Sequence, residues 1–130
     1  MPLVRVSLRR GKPVAYRKAI LDGIYQAMIS TFNVPNEDRF MVINEHDEPD
    51  FSYSPTYFNI ARTDDLILIQ LTVSNTRNVD QKKALFRRIV DNLKANPGVR
   101  PEDVFINLVE VDPANWSFGH GIAQYVADKT

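Results

Sequence analysis

With 130 residues, 44% of them apolar, the chain is long enough to bury the core of one domain and too apolar to be disordered. Its 16 basic side chains balance 16 acidic ones, and no basic run is long enough to follow a phosphate backbone, which argues against a nucleic-acid partner. There is no cysteine, so disulfides, thiolate zinc sites and thiol nucleophiles are excluded, and His46 and His120 are too few to build a metal cluster.

In chain order, the start Met1-Pro2-Leu3-Val4-Arg5 lacks the long apolar region of a signal peptide, and no apolar run approaches the ~18 residues of a membrane span. A soluble cytoplasmic protein is the expectation. Leu3, Val4, Val6 and Leu8 read as a strand, with Pro2 at its head, where a proline is tolerated. Ile20, Ile24, Ala27 and Met28 then recur at helical spacing, and Pro13 sits at a first helical position. A strand at 40–45 follows, and after it an irregular tract, 46–65, rich in aromatics and proline. Residues 66–71 with Val73 form a third strand. A second amphipathic helix carries Leu85, Phe86, Ile89 and Leu93, opened by Asn78 with Gln81 as a capping-box pair and stopped by Asn96-Pro97-Gly98. A fourth strand at 104–111 and a tract at 112–130 complete the chain, and such long irregular tracts are commonly functional or serve as docking arms.

This order is one unit read twice. At an offset of 65 the chain aligns with itself without a gap, and twelve of the 53 pairs from Met1/Leu66 to Tyr53/Phe118 are identical, where about three would follow from average residue usage. Glu37, Asp38, Phe40 and Glu45 return as Glu102, Asp103, Phe105 and Glu110. The expectation is one domain, 1–130, made of repeats 1–65 and 66–130. Each repeat is a β-α-β unit with parallel strands, giving an α/β (α+β) fold: a four-stranded mixed sheet with two helices on one face. The third and fourth strands are apolar on both sides, so the other sheet face should also be covered, and only a second subunit is large enough to do it.

Parallel strands begin at the same end of a sheet, which puts Pro2 beside Asp38. If the repeats pair antiparallel, the tail of the third strand arrives there too, followed by Asn75-Thr76-Arg77-Asn78. Arg77 precedes a helix start, where a guanidinium and unpaired backbone N–H groups favour a carboxylate. Freed of Met1, Pro2 would be a secondary amine on a rigid ring, neutral and basic near an apolar wall, or cationic and able to polarise a carbonyl. Each residue has a plainer reading. Many chains begin Met-Pro; Asp103 repeats Asp38, so both could be turn residues; Lys12 shadows Arg77 as a solvated cation; Trp116 and Phe118 could be core or interface aromatics. His46 and His120 read as loop or surface histidines, and Tyr53, Tyr57 and Arg62 as possible parts of a lid.

The duplicated β-α-β unit, Met1-Pro2 opening the first strand and Asp38-Arg39-Phe40 heading the second resemble the tautomerase superfamily. With Val34-Pro35, Arg77-Asn78 with Gln81-Lys82, and Asn115-Trp116-Ser117-Phe118-Gly119, the chain more closely resembles the malonate semialdehyde decarboxylase family over nearly its whole length. The resemblance implies a homotrimer, a catalytic amino-terminal proline, and no metal or cofactor. It implies Pro2 as the catalytic amine, Asp38 as the carboxylate that positions water, Arg77 as the binder of a small carboxylate substrate, and Trp116 and Phe118 as pocket walls. The decarboxylase pattern has an arginine where Asn75 stands; Asn75 can hydrogen-bond a carboxylate but brings no charge. The function implied is a cofactor-independent lyase or isomerase acting on a small oxo-acid, decarboxylase-like or a keto-enol tautomerase. A non-catalytic trimeric binding module and a ferredoxin-like regulatory domain are the alternatives from other classes.

Overall fold

The computed structural model describes residues 2–126. Strand β1 (Pro2–Arg9) leads into helix α1 (Val14–Phe32) and strand β2 (Met41–His46); β3 (Ile67–Ser74), α2 (Val79–Ala95) and β4 (Val104–Val111) repeat the sequence of elements. The sheet order is β2-β1-β3-β4, with β1/β2 and β3/β4 parallel and β1/β3 antiparallel at the centre. β2 lies one residue later than the spacing predicted, and Pro13 is the residue capping α1 (φ −65°, ψ 161°) rather than its first helical residue. A proline there still fixes the entry angle and leaves no amide to satisfy.

The central pairing sets Arg5 opposite Gln70, residues 65 apart and therefore equivalent in the two repeats. A pseudo-twofold axis thus passes between them. Every feature at one end of the sheet has its counterpart at the other.

Alternation along the strands sends Val4, Val6, Leu8, Ile67, Ile69 and Leu71 toward the helices, all nearly inaccessible. They pack with Ile20, Ile24, Met28, Leu85, Ile89 and Leu93 in one core. Each such side chain stabilises the fold by roughly 1.5–3 kcal/mol relative to exposure. Gly23 lets the helices approach closely: a Cβ there would lie 2.9 Å from Leu93 Cδ2, and Asn92 Nδ2 donates to the Gly23 carbonyl at 2.9 Å. At the start of α2, Asn78 Oδ1 accepts from Gln81 N–H at 2.8 Å and Gln81 Oε1 from Asn78 N–H at 3.1 Å, so both halves of the capping box form. The opposite sheet face is open in the single chain: Val42, Phe105 and Val109 are 43%, 48% and 37% exposed, interspersed with Arg5, Gln70 and Asn107. No helix among the described residues is long and apolar enough to cross a membrane.

The chain between β2 and β3 folds against the end of the sheet where β3 begins. Phe51 is buried between His46 and Tyr53, with centroids at 5.9 and 6.2 Å. His46 is thus a half-buried strand-end residue rather than a loop histidine. From the same connection, Thr63 donates its N–H (2.7 Å) and hydroxyl (2.6 Å) to the fully buried carboxylate of Asp103, and Asp65 pairs with Lys12 at 2.6 Å. Replacing Asp103 by alanine strands the Thr63 donors beside the core. The expected loss is about 1–3 kcal/mol, read as a lower urea midpoint at unchanged m-value.

Candidate active site

At the other end of the sheet, Pro2 is buried as the first residue of β1 and pairs with Val73. Val4 N–H donates to Phe40 O at 3.0 Å, which holds the segment containing Asp38 and Arg39 alongside the head of β1. That segment is built from local bonds. Asp38 N–H donates to Pro35 O at 3.0 Å, the Tyr25 hydroxyl donates to the Asn36 carbonyl, and the Arg39 guanidinium lies over the Tyr25 ring at 5.2 Å. Asp38 is only 6% exposed. Burial pushes its carboxyl above the ordinary carboxylate range, and the charge of Arg77 pulls the other way.

Arg77 reaches the same place from the turn after β3. Its Nη1 donates to Thr76 Oγ1 at 2.8 Å and its Nη2 to Phe32 O at 2.5 Å, with the guanidinium carbon 5.0 Å from the Phe32 ring centroid. Phe32 is the last residue of α1, so the cation sits on the negative end of one helix as well as before the start of another. The capping box takes the Gln81 amide and Asp80 supplies a negative charge in the first turn of α2, so the helix start offers an anion less than its bare amides would. The guanidinium is the stronger feature.

Asp38, Ser74, Thr76 and Arg77 line a recess of about 320 Å³ together with Pro35, Pro113 and Tyr125. Asn75 is directed elsewhere: its amide donates to Asp112 Oδ1 at 2.7 Å, tying the end of β3 to the residue after β4. Trp116 Nε1 donates to Ser74 Oγ at 3.1 Å, and Phe118 stacks on Trp116 at 5.7 Å and 15°. Tyr125 meets Phe118 edge-on at 5.2 Å and 82°. Tyr125 is among the residues that line the recess, and Trp116 and Phe118 contact two of those lining residues, Ser74 and Tyr125.

Sequence reasoning missed Tyr125. Its position depends on the turn Gly119-His120-Gly121, with φ of +149°, +60° and +69°, closed by Gln124, which accepts from Phe118 N–H at 2.9 Å and donates to Gly119 O at 3.0 Å. The two glycines were the available signal. Burial raises the pKa of the Tyr125 hydroxyl, the charge of Asp38 raises it further, and Arg77 opposes both, so the three groups share one electrostatic field. Tyr53, Tyr57 and Arg62 lie on the connection at the opposite end of the sheet. There Tyr53 donates to Asp64 Oδ1, and Arg62 donates to the carbonyls of Ser54 and Tyr57. Among the described residues no group of three His, Cys, Asp or Glu could hold a metal ion.

A buried carboxylate and an anchored guanidinium facing one small recess, at the head of a strand opened by proline, can bind a carboxylate and hold a water or a carbonyl next to it. Comparison with known proteins gives a consistent outcome. Residues 38–119 match a family described as tautomerase enzyme, and residues 2–59 match a second family of the same description. The chain is 41% identical over 126 residues to the probable tautomerase YusQ of Bacillus subtilis (strain 168), covering 97% of this chain and 99% of that one. It is similar in structure to a malonate semialdehyde decarboxylase described with decarboxylase and hydratase activities (30% identity, 95% of both chains, TM-score 0.88). A second malonate semialdehyde decarboxylase, inhibited by 3-bromopropiolate, is 32% identical over 95% of this chain and 94% of that one, with a TM-score of 0.89. A fused 4-OT symmetric trimer shares the fold at 18% identity, 95% and 97% coverage and a TM-score of 0.78. By its sequence, its duplicated β-α-β sheet and these matches, the chain belongs to the tautomerase family of enzymes.

Proposed function

We propose that the protein is a cofactor-independent enzyme of small oxo-acids that uses Pro2 as an amino-terminal amine, with decarboxylation of a 3-oxo acid as its reaction. The observation that carries this reading is the shared recess of Asp38 and Arg77 at the head of the strand that Pro2 opens. Removal of Met1 turns the Pro2 nitrogen from an amide into a secondary amine. Arg77 then grips the substrate carboxylate and the cationic amine points at the 3-carbonyl. The bond between the carboxylate and the 2-carbon breaks and carbon dioxide leaves. The electron pair moves through the new double bond to the 3-oxygen, which takes the Pro2 proton. Uptake of a solvent proton at the 2-carbon and return of the oxygen-bound proton to Pro2 complete the cycle. Asp38, as a carboxylate, positions water beside the carbonyl. Stabilisation of the developing oxyanion in a desolvated site is the main source of rate.

A second reading, keto-enol tautomerisation, is favoured by the 41% identical probable tautomerase and by Asn75 being engaged by Asp112. It needs the opposite protonation state of one nitrogen. If the amine works as a cation, kcat falls as pH rises through its pKa; if it works as a base, kcat rises. Either way, Pro2→Ala is expected to lose about two or more orders of magnitude in kcat/KM, the usual contribution of a positioned acid or base. Intact mass of the wild type should show a chain lacking Met1, with an adduct on Pro2 after 3-bromopropiolate. Full activity in Pro2→Ala would discard both reactions.

Assembly as a homotrimer through the open sheet face belongs to the same proposal, supported by the exposed Val42, Phe105 and Val109 and by the trimeric fold relative. Light scattering coupled to size exclusion should give three times the 14.9 kDa chain mass, and Phe105→Asp should lower it.

Asp38 ties stability to function. Because its folded-state pKa is raised, the folded protein holds more protons than the unfolded chain in the window above the ordinary value of 3.8, and stability falls as pH rises through that window. Asp38→Asn is therefore expected to raise Tm by a few degrees at neutral pH, with the gain vanishing in acid, while kcat/KM drops. The acid limb of the wild-type pH profile should lie above 3.8 and disappear in the variant.

A further inference from the structure

The two repeated carboxylates, Asp38 and Asp103, are set by different means. Asp103 is gripped directly, its oxygens accepting the Thr63 N–H and hydroxyl. The segment that carries Asp38 is shaped by its backbone: Asp38 N–H donates to Pro35 O at 3.0 Å and Arg39 N–H to Glu37 O at 3.0 Å. Its ends are tied where Val34 N–H donates to Met28 O at 3.5 Å and Val4 N–H to Phe40 O at 3.0 Å. Its middle is reached by a side chain from α1, because Tyr25 donates its hydroxyl to the Asn36 carbonyl. Tyr25 is only 8% exposed, and the Arg39 guanidinium lies 5.2 Å from its ring centroid. Asn36 and Arg39 flank Asp38, so one buried ring engages the chain both before and after the carboxylate.

The second repeat has no such clasp. At the offset of 65, Tyr25, Asn36 and Arg39 correspond to Val90, Pro101 and Val104. Valine has no hydroxyl to donate and no ring to carry a cation. The copies thus differ at three positions that meet in space, and they meet at the end of the sheet that holds Asp38 and Arg77. Arg77 is supported from the same helix, by the Phe32 carbonyl. Tyr25 and Phe32 are seven residues apart and therefore lie on one face of α1.

Resting on the role of Asp38 proposed above, we infer that Tyr25 is a positioning residue of the active site: through Asn36 and Arg39 it fixes the 35–39 segment against α1, and with it the place of the Asp38 carboxylate relative to Arg77. Tyr25 acts through Asp38 and not on substrate. Geometry of this kind governs rate, since a misplacement of about 1 Å can cost on the order of a hundredfold.

The first readout needs no turnover. The carbon-13 shift of the Asp38 carboxyl, followed against pH in the wild type and in Tyr25→Phe, is expected to show a midpoint above 3.8 that moves back toward 3.8 in the variant as water reaches the loosened segment. Arg77 and Tyr125, which share the field of Asp38, are unchanged in that comparison. Arg39→Lys keeps the charge but loses the planar stack, so it should move the midpoint the same way by less, and it serves if Tyr25→Phe folds poorly. Tyr53→Phe, which loses a hydroxyl bond at the opposite end of the sheet, should match the wild type. With 3-oxopropanoate, Tyr25→Phe should lower kcat about tenfold and leave KM, governed by Arg77, within about twofold. In the Asp38→Asn background the same substitution should change kcat by less than about twofold. An unmoved Asp38 midpoint in Tyr25→Phe, or an equal loss of kcat in both backgrounds, overturns the inference. A moved midpoint with full activity in Asp38→Asn keeps Tyr25 as the anchor of Asp38 and overturns the role of Asp38 in the reaction.

Discussion

The antiparallel pairing of β1 with β3, centred between Arg5 and Gln70, is the constraint on which the rest of the molecule depends. It is the one contact that joins the two parallel pairs into a single sheet, and it sends equivalent residues to opposite ends. Pro2, Asp38 and Arg77 gather at one end; their counterparts Ile67, Asp103 and Lys12 gather at the other. The two ends therefore begin with the same plan of strand head, carboxylate and cation. What distinguishes them is the connection between the repeats. It passes over the second end, where Thr63 satisfies Asp103 and Asp65 neutralises Lys12.

The contrast gives two fates to one carboxylate. Asp103 is fully buried, but two donors at 2.6 and 2.7 Å replace the water it gave up, so it helps to hold the fold. Asp38 is nearly as buried, and burial raises its carboxyl pKa while the charge of Arg77 pulls the other way. A carboxyl whose pKa is raised on folding lowers stability as pH rises above its ordinary range, so the same residue type costs stability at one end of the sheet and adds it at the other.

The sequence was legible where one local rule decided the outcome. The 65-residue offset, the helical spacing of Ile20, Ile24 and Met28, and the Asn78/Gln81 capping box each translate into structure with a shift of at most a residue. It was less legible where a contact depended on backbone directions far apart in the chain. Arg77 could be placed before α2 from sequence, but not its bond to the carbonyl that ends α1. Asn75 read as a residue aimed at substrate, and its turn toward Asp112 follows from where β4 ends. Tyr125 returns to the recess only because two glycines with positive φ reverse the chain, a geometry that apolar periodicity cannot encode.

The connection through Thr63 and Asp65 also breaks the equivalence of the two ends. Two copies of a half-length unit related by a true twofold would present two identical ends. Here the covalent join occupies one end with the chain's own hydroxyl and carboxylate, which sets it apart from the end that holds Asp38 and Arg77. At the occupied end Ile67, rather than proline, stands at the head of the strand. Symmetry supplied the scaffold, and the linker's occupation of one pole made the molecule directional.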